Sequence, residues 1–219
     1  MTPDLPRHQG QRQQLLALLR GKGIKNERVL EAMGRIPRHA FLESSFEEFA
    51  YQDIAFPIAA GQTISQPYTV AFQSDALGLP EGAKILEIGT GSGYQAAVLE
   101  EMGYRVYTIE RQKALFDFSK RLLDEMGYRR IQQKFGDGYK GLPSFAPFDG
   151  ILITAAAPEL PQDLLAQLAP GGVLVVPVGE VEAEQRMLRV RRGPDMDWVH
   201  EDLGSFRFVP MLKDVATQR

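Results

Sequence analysis

An α/β fold is predicted for this 219-residue chain: a doubly wound, mostly parallel seven-stranded sheet with an N-terminal helical extension. Three features predict it. After Pro80, short apolar runs alternate with longer amphipathic ones, as in parallel strands joined by crossover helices. A glycine-rich turn from Gly89 to Gly93 separates the first of these runs from a helical segment. In the first sixty residues, by contrast, apolar residues recur at helical spacing. The expected division is an extension over residues 1–60 packed on a core domain over residues 61–219.

Within the extension, Arg12 to Arg20 and Glu27 to Met33 read as helices, separated by the break Gly21 to Gly23. Arg38 to Phe49 continues with aromatic and acidic residues. Pro57 to Pro67, rich in Gly, Thr, Ser and Gln, reads as irregular, and Tyr68 to Leu77 as a helix. Five strands are expected at Lys84 to Ile88, Arg105 to Ile109, Ile131 to Phe135, Phe148 to Thr154 and Gly172 to Val178. Helices fill the gaps at Tyr94 to Met102, Gln112 to Met126 and Pro161 to Leu168. Pro170 to Gly172 reads as a structural turn. No helix fits between the strand-like runs Gln185 to Arg192 and Trp198 to Val209, so an antiparallel hairpin should close the sheet.

Composition narrows the function. With 44% apolar residues the chain can bury a full core. No run approaches the roughly 20 apolar residues of a membrane span, and Met1 to Arg12 lacks an apolar signal core. A cytoplasmic monomer without a membrane partner is expected. The absence of cysteine excludes disulfides, thiolate nucleophiles and Cys-ligated zinc. His8, His39 and His200 stand apart in sequence, so no metal is expected. A net charge of −3 disfavours a nucleic-acid partner. The basic run Arg186, Arg189, Arg191 and Arg192 reads as the solvated face of a strand.

The run ILEIGTGSGYQ, from Ile85 to Gln95, places its turn where backbone N–H groups point into a cleft at the carboxyl end of a strand. Gly89, Gly91 and Gly93, with Thr90 among them, allow a ligand close to the backbone. Gly91, Gly93 and Ala96 also satisfy the spacing of a dinucleotide site. Glu87 favours a different ligand, since an acid there would oppose a pyrophosphate but assist a sulfonium-bearing amino acid. Glu110 ends the second strand, where its carboxylate could accept both hydroxyls of a ribose; its loss should weaken that ligand and spare the fold. Asp137 and Gly138 follow the third strand, where an acceptor could hold an adenine amino group. Together these three strand tips point to S-adenosylmethionine.

GQTISQPYTVAFQ, Gly61 to Gln73, resembles the signature of protein-L-isoaspartate (D-aspartate) O-methyltransferases. FDGILITAAAPELP from Phe148, PGGVLVVPVG from Pro170 and RFVPM from Arg207 resemble the same family, so the match spans about Gly61 to Met211. The resemblance implies a class I S-adenosylmethionine-dependent methyltransferase that esterifies the free carboxylate of L-isoaspartyl residues in damaged proteins and peptides. It also implies repair through a succinimide, S-adenosylhomocysteine as product and rearranged closing strands. Ser65 becomes the catalytic-site residue, Thr63, Ile64, Ser65 and Gln66 cofactor contacts, and Val209 and Pro210, with Ser65, substrate contacts. Ala155 to Pro158 would leave room for a peptide. A class I methyltransferase acting on a small molecule or RNA is the alternative.

An isoaspartyl carboxylate is already ionised at neutral pH, since carboxyl groups titrate near 3 to 4, so no general base is required. Ser65 is then expected to donate a hydrogen bond that orients the carboxylate, not to act as a nucleophile.

Overall fold

The computed structural model describes residues 3–180, 183–193 and 197–217. Met1, with which the polar start opens, lies outside these residues. Helix α1, Pro6–Gly21, begins six residues before the expected Arg12. Its first turns are polar and carry no apolar period, but Pro6 suits a helix start and His8 and Arg12 are buried by tertiary contacts. Helix α2, Glu27–Arg35, is capped by Asn26, whose Oδ1 accepts the Arg28 N–H at 3.1 Å. Arg38–Phe41 and Ser44–Phe49 form 3₁₀ turns.

The segment expected to be irregular contains a small antiparallel pair, β1 (Phe56–Pro57) and β2 (Thr63–Ile64). Helix α3, Pro67–Leu77, follows and stops at Gly78 in the left-handed conformation.

The core then runs β3 (Lys84–Ile88), α4 (Tyr94–Glu101), β4 (Arg105–Glu110), α5 (Lys113–Glu125), β5 (Gln132–Phe135) and β6 (Phe148–Ile153). It ends with α6 (Gln162–Leu165), β7 (Leu168–Val178), β8 (Gln185–Arg192) and β9 (Trp198–Phe206). The strands form one sheet in the order β5-β4-β3-β6-β7-β8-β9, parallel up to β7 and antiparallel beyond it. This is the class I methyltransferase fold. The closing strands form the hairpin expected from the missing crossover helix, each beside its sequence predecessor.

The start of β7 also differs from expectation. β7 begins at Leu168, inside the expected helix, and passes through Pro170 to Gly172 where a turn was expected. Its pairing with β6 shifts register between Phe148 and Gly150, and Gly171 adopts φ 77°. A bulge therefore lets the strand continue through residues that otherwise signal a turn.

Alternation along the parallel strands divides the core into two layers. Ile85, Leu152, Val173 and Val175 pack with α1, α2, α3 and α4, whereas Leu86, Ile88, Ile151 and Val176 pack with α6. Leu15, Leu19, Leu30 and Met33 of the extension share the first layer, so their burial depends on the sheet. On the closing hairpin, Arg186 pairs with Asp202 at 2.8 Å and Arg189 with Glu201, so these two arginines of the basic run are balanced across the strands. Among the described residues no helix is long and apolar enough to cross a membrane.

Candidate active site

The loops after β3, β4, β5 and β6 meet at the carboxyl edge of the sheet. In the turn after β3, Gly89 and Gly91 adopt φ 96° and 55°, which a side chain would strain. A Cβ on Gly89 would also meet Thr154 Oγ1, at the end of β6, at 2.6 Å. Gly93 does something else. A Cβ there would meet Leu123 of α5 at 3.0 Å, so this glycine lets two helices pack and does not line the cleft.

Glu110 closes β4 with its side chain only 4% exposed. Its Oε2 accepts the Gly91 N–H at 2.9 Å and its Oε1 the Gln112 N–H at 2.8 Å. Burial pushes the carboxyl above its ordinary pKa, while the N–H groups of Gln112 and Gly91 pull it back. Each oxygen has a further lone pair available to a ligand.

Glu87 departs from expectation. It is 0% exposed and lines neither cleft at the sheet edge. The Thr108 hydroxyl donates to its Oε2 at 2.5 Å, and Thr90 Oγ1 lies 2.7 Å from Thr108 Oγ1. Either hydroxyl can donate in the second contact. Desolvation pushes the Glu87 pKa up to about 8, so burial favours its neutral form. Glu87 and Thr90 thus belong to a buried polar chain beneath the turn.

Asp137 lines neither cleft at the sheet edge. Its Oδ1 accepts the Tyr139 N–H at 2.9 Å and its Oδ2 the Asp214 N–H at 3.1 Å, fixing the turn after β5 and the C-terminal segment. The adjacent Gly138 lines the cleft instead, and a Cβ there would meet Ile88 Cγ2 at 2.5 Å. Ile64 points into the core. It lines neither cleft at the sheet edge.

Two depressions occupy the edge. The first is bounded by Thr63, Gly89, Gly91, Glu110, Gly138, Val209 and Pro210. Sequence reading missed its other walls, among them Gln62, Ile109, Leu115, Thr154 and Met211. It encloses about 80 Å³. Ligand pockets typically offer ~300–1,000 Å³, so a nucleoside requires the walls to part.

The donor set nevertheless suits a nucleoside bearing an amino acid. An acceptor carboxylate is available to a ribose diol, Ile109, Leu115 and Met211 offer apolar cover, and glycines admit close approach. The second depression, about 450 Å³, contains Ser65, Gln66, Tyr68, Phe72, Phe206 and Phe208. Thr63, Thr154 and Val209 line both, so the two depressions adjoin.

Ser65 is held by a residue that sequence reading passed over. The guanidinium of Arg38 is 0% exposed; its Nη2 donates to the Ser65 carbonyl and its Nε to the Ala50 carbonyl, both at 3.0 Å. It also lies 4.7 Å from the ring of Tyr94, the first residue of α4. Burial pushes the Arg38 pKa down, yet a guanidinium remains charged in proteins.

The histidines are not all apart. His8 and His39 meet with ring centroids 4.0 Å apart and planes tilted by 40°, close to Asp4, and His39 Nδ1 is 2.8 Å from the Tyr51 hydroxyl. Arg12 takes the Asp4 carboxylate at 2.8 Å, and the group lines neither depression.

The profile of the protein-L-isoaspartate(D-aspartate) O-methyltransferase family matches residues 10–216. A protein-L-isoaspartate O-methyltransferase of Flavobacterium psychrophilum is 56% identical over 211 residues, covering 96% of this chain and 98% of that one. Its counterpart in Chlorobaculum tepidum is 50% identical over 203 residues, covering 92% and 93%. A solved protein-L-isoaspartate O-methyltransferase superposes with a TM-score of 0.82 at 29% identity, covering 91% of this chain but 65% of that longer one. A Plasmodium falciparum structure, described as a candidate enzyme of the same kind in complex with S-adenosyl-L-homocysteine, shares the fold. Its TM-score is 0.78 at 24% identity, with 92% and 98% of the chains covered.

Proposed function

The chain belongs to the protein-L-isoaspartate(D-aspartate) O-methyltransferase family, and from that premise we propose how its residues divide the reaction. The enzyme transfers a methyl group from S-adenosylmethionine to the free carboxylate of isoaspartyl residues in damaged proteins, initiating their repair through a succinimide. Bound S-adenosylmethionine supplies an electrophilic methyl on a sulfonium and is left as S-adenosylhomocysteine.

Glu110 accepts the ribose hydroxyls with the lone pairs not committed to Gly91 and Gln112. Gly89 and Gly91 admit the ligand close to the backbone, and Gly138 does so from the turn after β5. Thr63 belongs to both sites. Ser65 and Gln66 stand on the acceptor side, where the Ser65 hydroxyl donates to the isoaspartyl carboxylate and fixes its direction of attack. Val209 bounds the acceptor where the depressions adjoin, and Pro210 does so from the first depression. The acceptor is anionic at neutral pH, so the residues orient it and withhold water but remove no proton. Ile109, Leu115 and Met211 exclude water from a reaction in which opposite charges neutralise, and which bulk water would slow.

The observation that supports this reading best is the shared wall of Thr63, Thr154 and Val209. Filling it with Thr63→Trp should cut methyl transfer at least a hundredfold in a protein that still unfolds cooperatively. Transfer at the wild-type rate would show that donor and acceptor do not meet there. The same proposal includes a cytoplasmic monomer without nucleic-acid or membrane partners, in keeping with a net charge of −3. It also includes a helical extension over residues 1–60 serving the domain over residues 61–219 by closing its core and, through Arg38, by holding Ser65.

A further inference from the structure

Four aromatic rings line one stretch of the groove that begins at Ser65. Tyr68 and Phe72, four residues apart on α3, present the same helix face, and their ring centroids are 5.9 Å apart. Phe206 ends β9 and reaches across to both. Its ring is 4.9 Å from that of Phe72 and lies parallel to that of Tyr68, 8° between planes at 6.4 Å. Phe208 extends the row at 6.4 Å from Phe206.

All four rings are only partly buried, although the core of the same domain hides most of its large apolar side chains completely. Each ring packs on the core with one side and turns the other to a groove whose remaining wall has polar residues, Ser65, Gln66 and Ser205, among it. A row of rings left open beside a reaction centre is characteristic of a binding site. At about 450 Å³ the groove falls within the ~300–1,000 Å³ of pockets that take ligands of several groups. At the rim Arg207 faces Glu184 at 3.8 Å, so the groove carries no net charge from this pair.

We propose that Tyr68, Phe72, Phe206 and Phe208 form a subsite for an aromatic or large aliphatic side chain one or two residues from the isoaspartyl residue of the substrate. This rests on the groove being the acceptor side of the methyl transfer. The subsite selects by stacking and apolar burial, which bring the acceptor to Ser65 before chemistry and are retained during it. Such uniform binding lowers KM and leaves kcat unchanged.

The test is a series of isoaspartyl peptides in which the surrounding residues are glycine except for one phenylalanine. That residue is placed in turn one or two positions before or after the isoaspartyl residue. With wild-type enzyme and saturating S-adenosylmethionine, at least one placement should raise kcat/KM about tenfold over the all-glycine peptide, with the change in KM. Leucine at that position should give part of the gain and aspartate none. In Phe206→Ser the ratio of phenylalanine to glycine peptide should fall below about two. Equal kcat/KM for every flanking residue in wild type would overturn the subsite while leaving the isoaspartyl reading intact. A ratio unchanged in a folded Phe206→Ser protein would overturn it too. Methylation of none of the peptides would overturn the acceptor reading and the subsite together.

Discussion

Replacing Glu110 with alanine should damage both cofactor binding and the fold. As a strand-end acid it would be expected to serve the ligand alone, but here its two oxygens also hold the N–H groups of Gly91 and Gln112 at 2.9 and 2.8 Å. Hydrogen bonds to a charged group contribute about 1.5–3 kcal/mol each. Part of this is offset, because burial disfavours the ionised carboxylate and water can reach the loop once the side chain is gone.

A net loss of about 2–4 kcal/mol follows, or roughly 5–15 °C in Tm for a domain of this size. Loss of two ribose contacts, at about 1.4 kcal/mol per tenfold, should weaken S-adenosylhomocysteine about a hundredfold. Thermal unfolding and calorimetric titration at one pH measure the two effects separately. An unchanged Tm would refute the structural tie, and unchanged affinity in the folded variant would refute the ribose role.

Ser65→Ala should lower kcat on an isoaspartyl peptide roughly tenfold, as for one hydrogen bond made only in the transition state, with S-adenosylhomocysteine affinity nearly unchanged. Wild-type kcat should be flat above pH 6, and an essential group titrating near 7 would disprove the base-free mechanism. Arg38→Met leaves the Ala50 and Ser65 carbonyls unpaired, at about 1–3 kcal/mol each. Its Tm should fall, and well below that Tm its kcat should still fall more than its S-adenosylhomocysteine affinity; loss of stability alone would reject the positioning role.

Glu87 has a folded pKa of about 8 against an ordinary 4.5, so its contribution is complete below 4.5 and lost as pH rises through 8. Glu87→Gln keeps an acceptor for Thr108 but cannot ionise. Its Tm should therefore decline less than that of wild type between about pH 5 and 8.5, and parallel declines would contradict a buried neutral acid.

Most of the core strands were legible because they are short apolar runs between turn signals, as in KILEI before Gly89 and VYTIE before Arg111. Glu110 was legible for the same reason, being an acid where an apolar run stops. Glu87 was not. A parallel sheet is covered on both faces, so alternation could not tell whether its side chain met a cleft or a helix. Arg38 stands in a polar segment where a charged residue ordinarily faces water, and only the fold brings Ala50, Ser65 and Tyr94 around it.

The helical spacing of Tyr68 and Phe72 was visible, but Phe206 joins them from a strand more than a hundred residues later. His8 and His39 meet by the same kind of long-range packing. The start of α1 was obscured by its polar first turns, and that of β7 by a bulge at residues that otherwise mark a turn.

The most direct test of the account gives the protein labelled S-adenosylmethionine and two peptides of one sequence, one containing isoaspartate and the other normal aspartate. Base-labile methyl ester should form on the isoaspartyl peptide and not on its partner. Equal labelling of both peptides, or labelling of neither, would contradict the assignment of the groove at Ser65 to an isoaspartyl carboxylate.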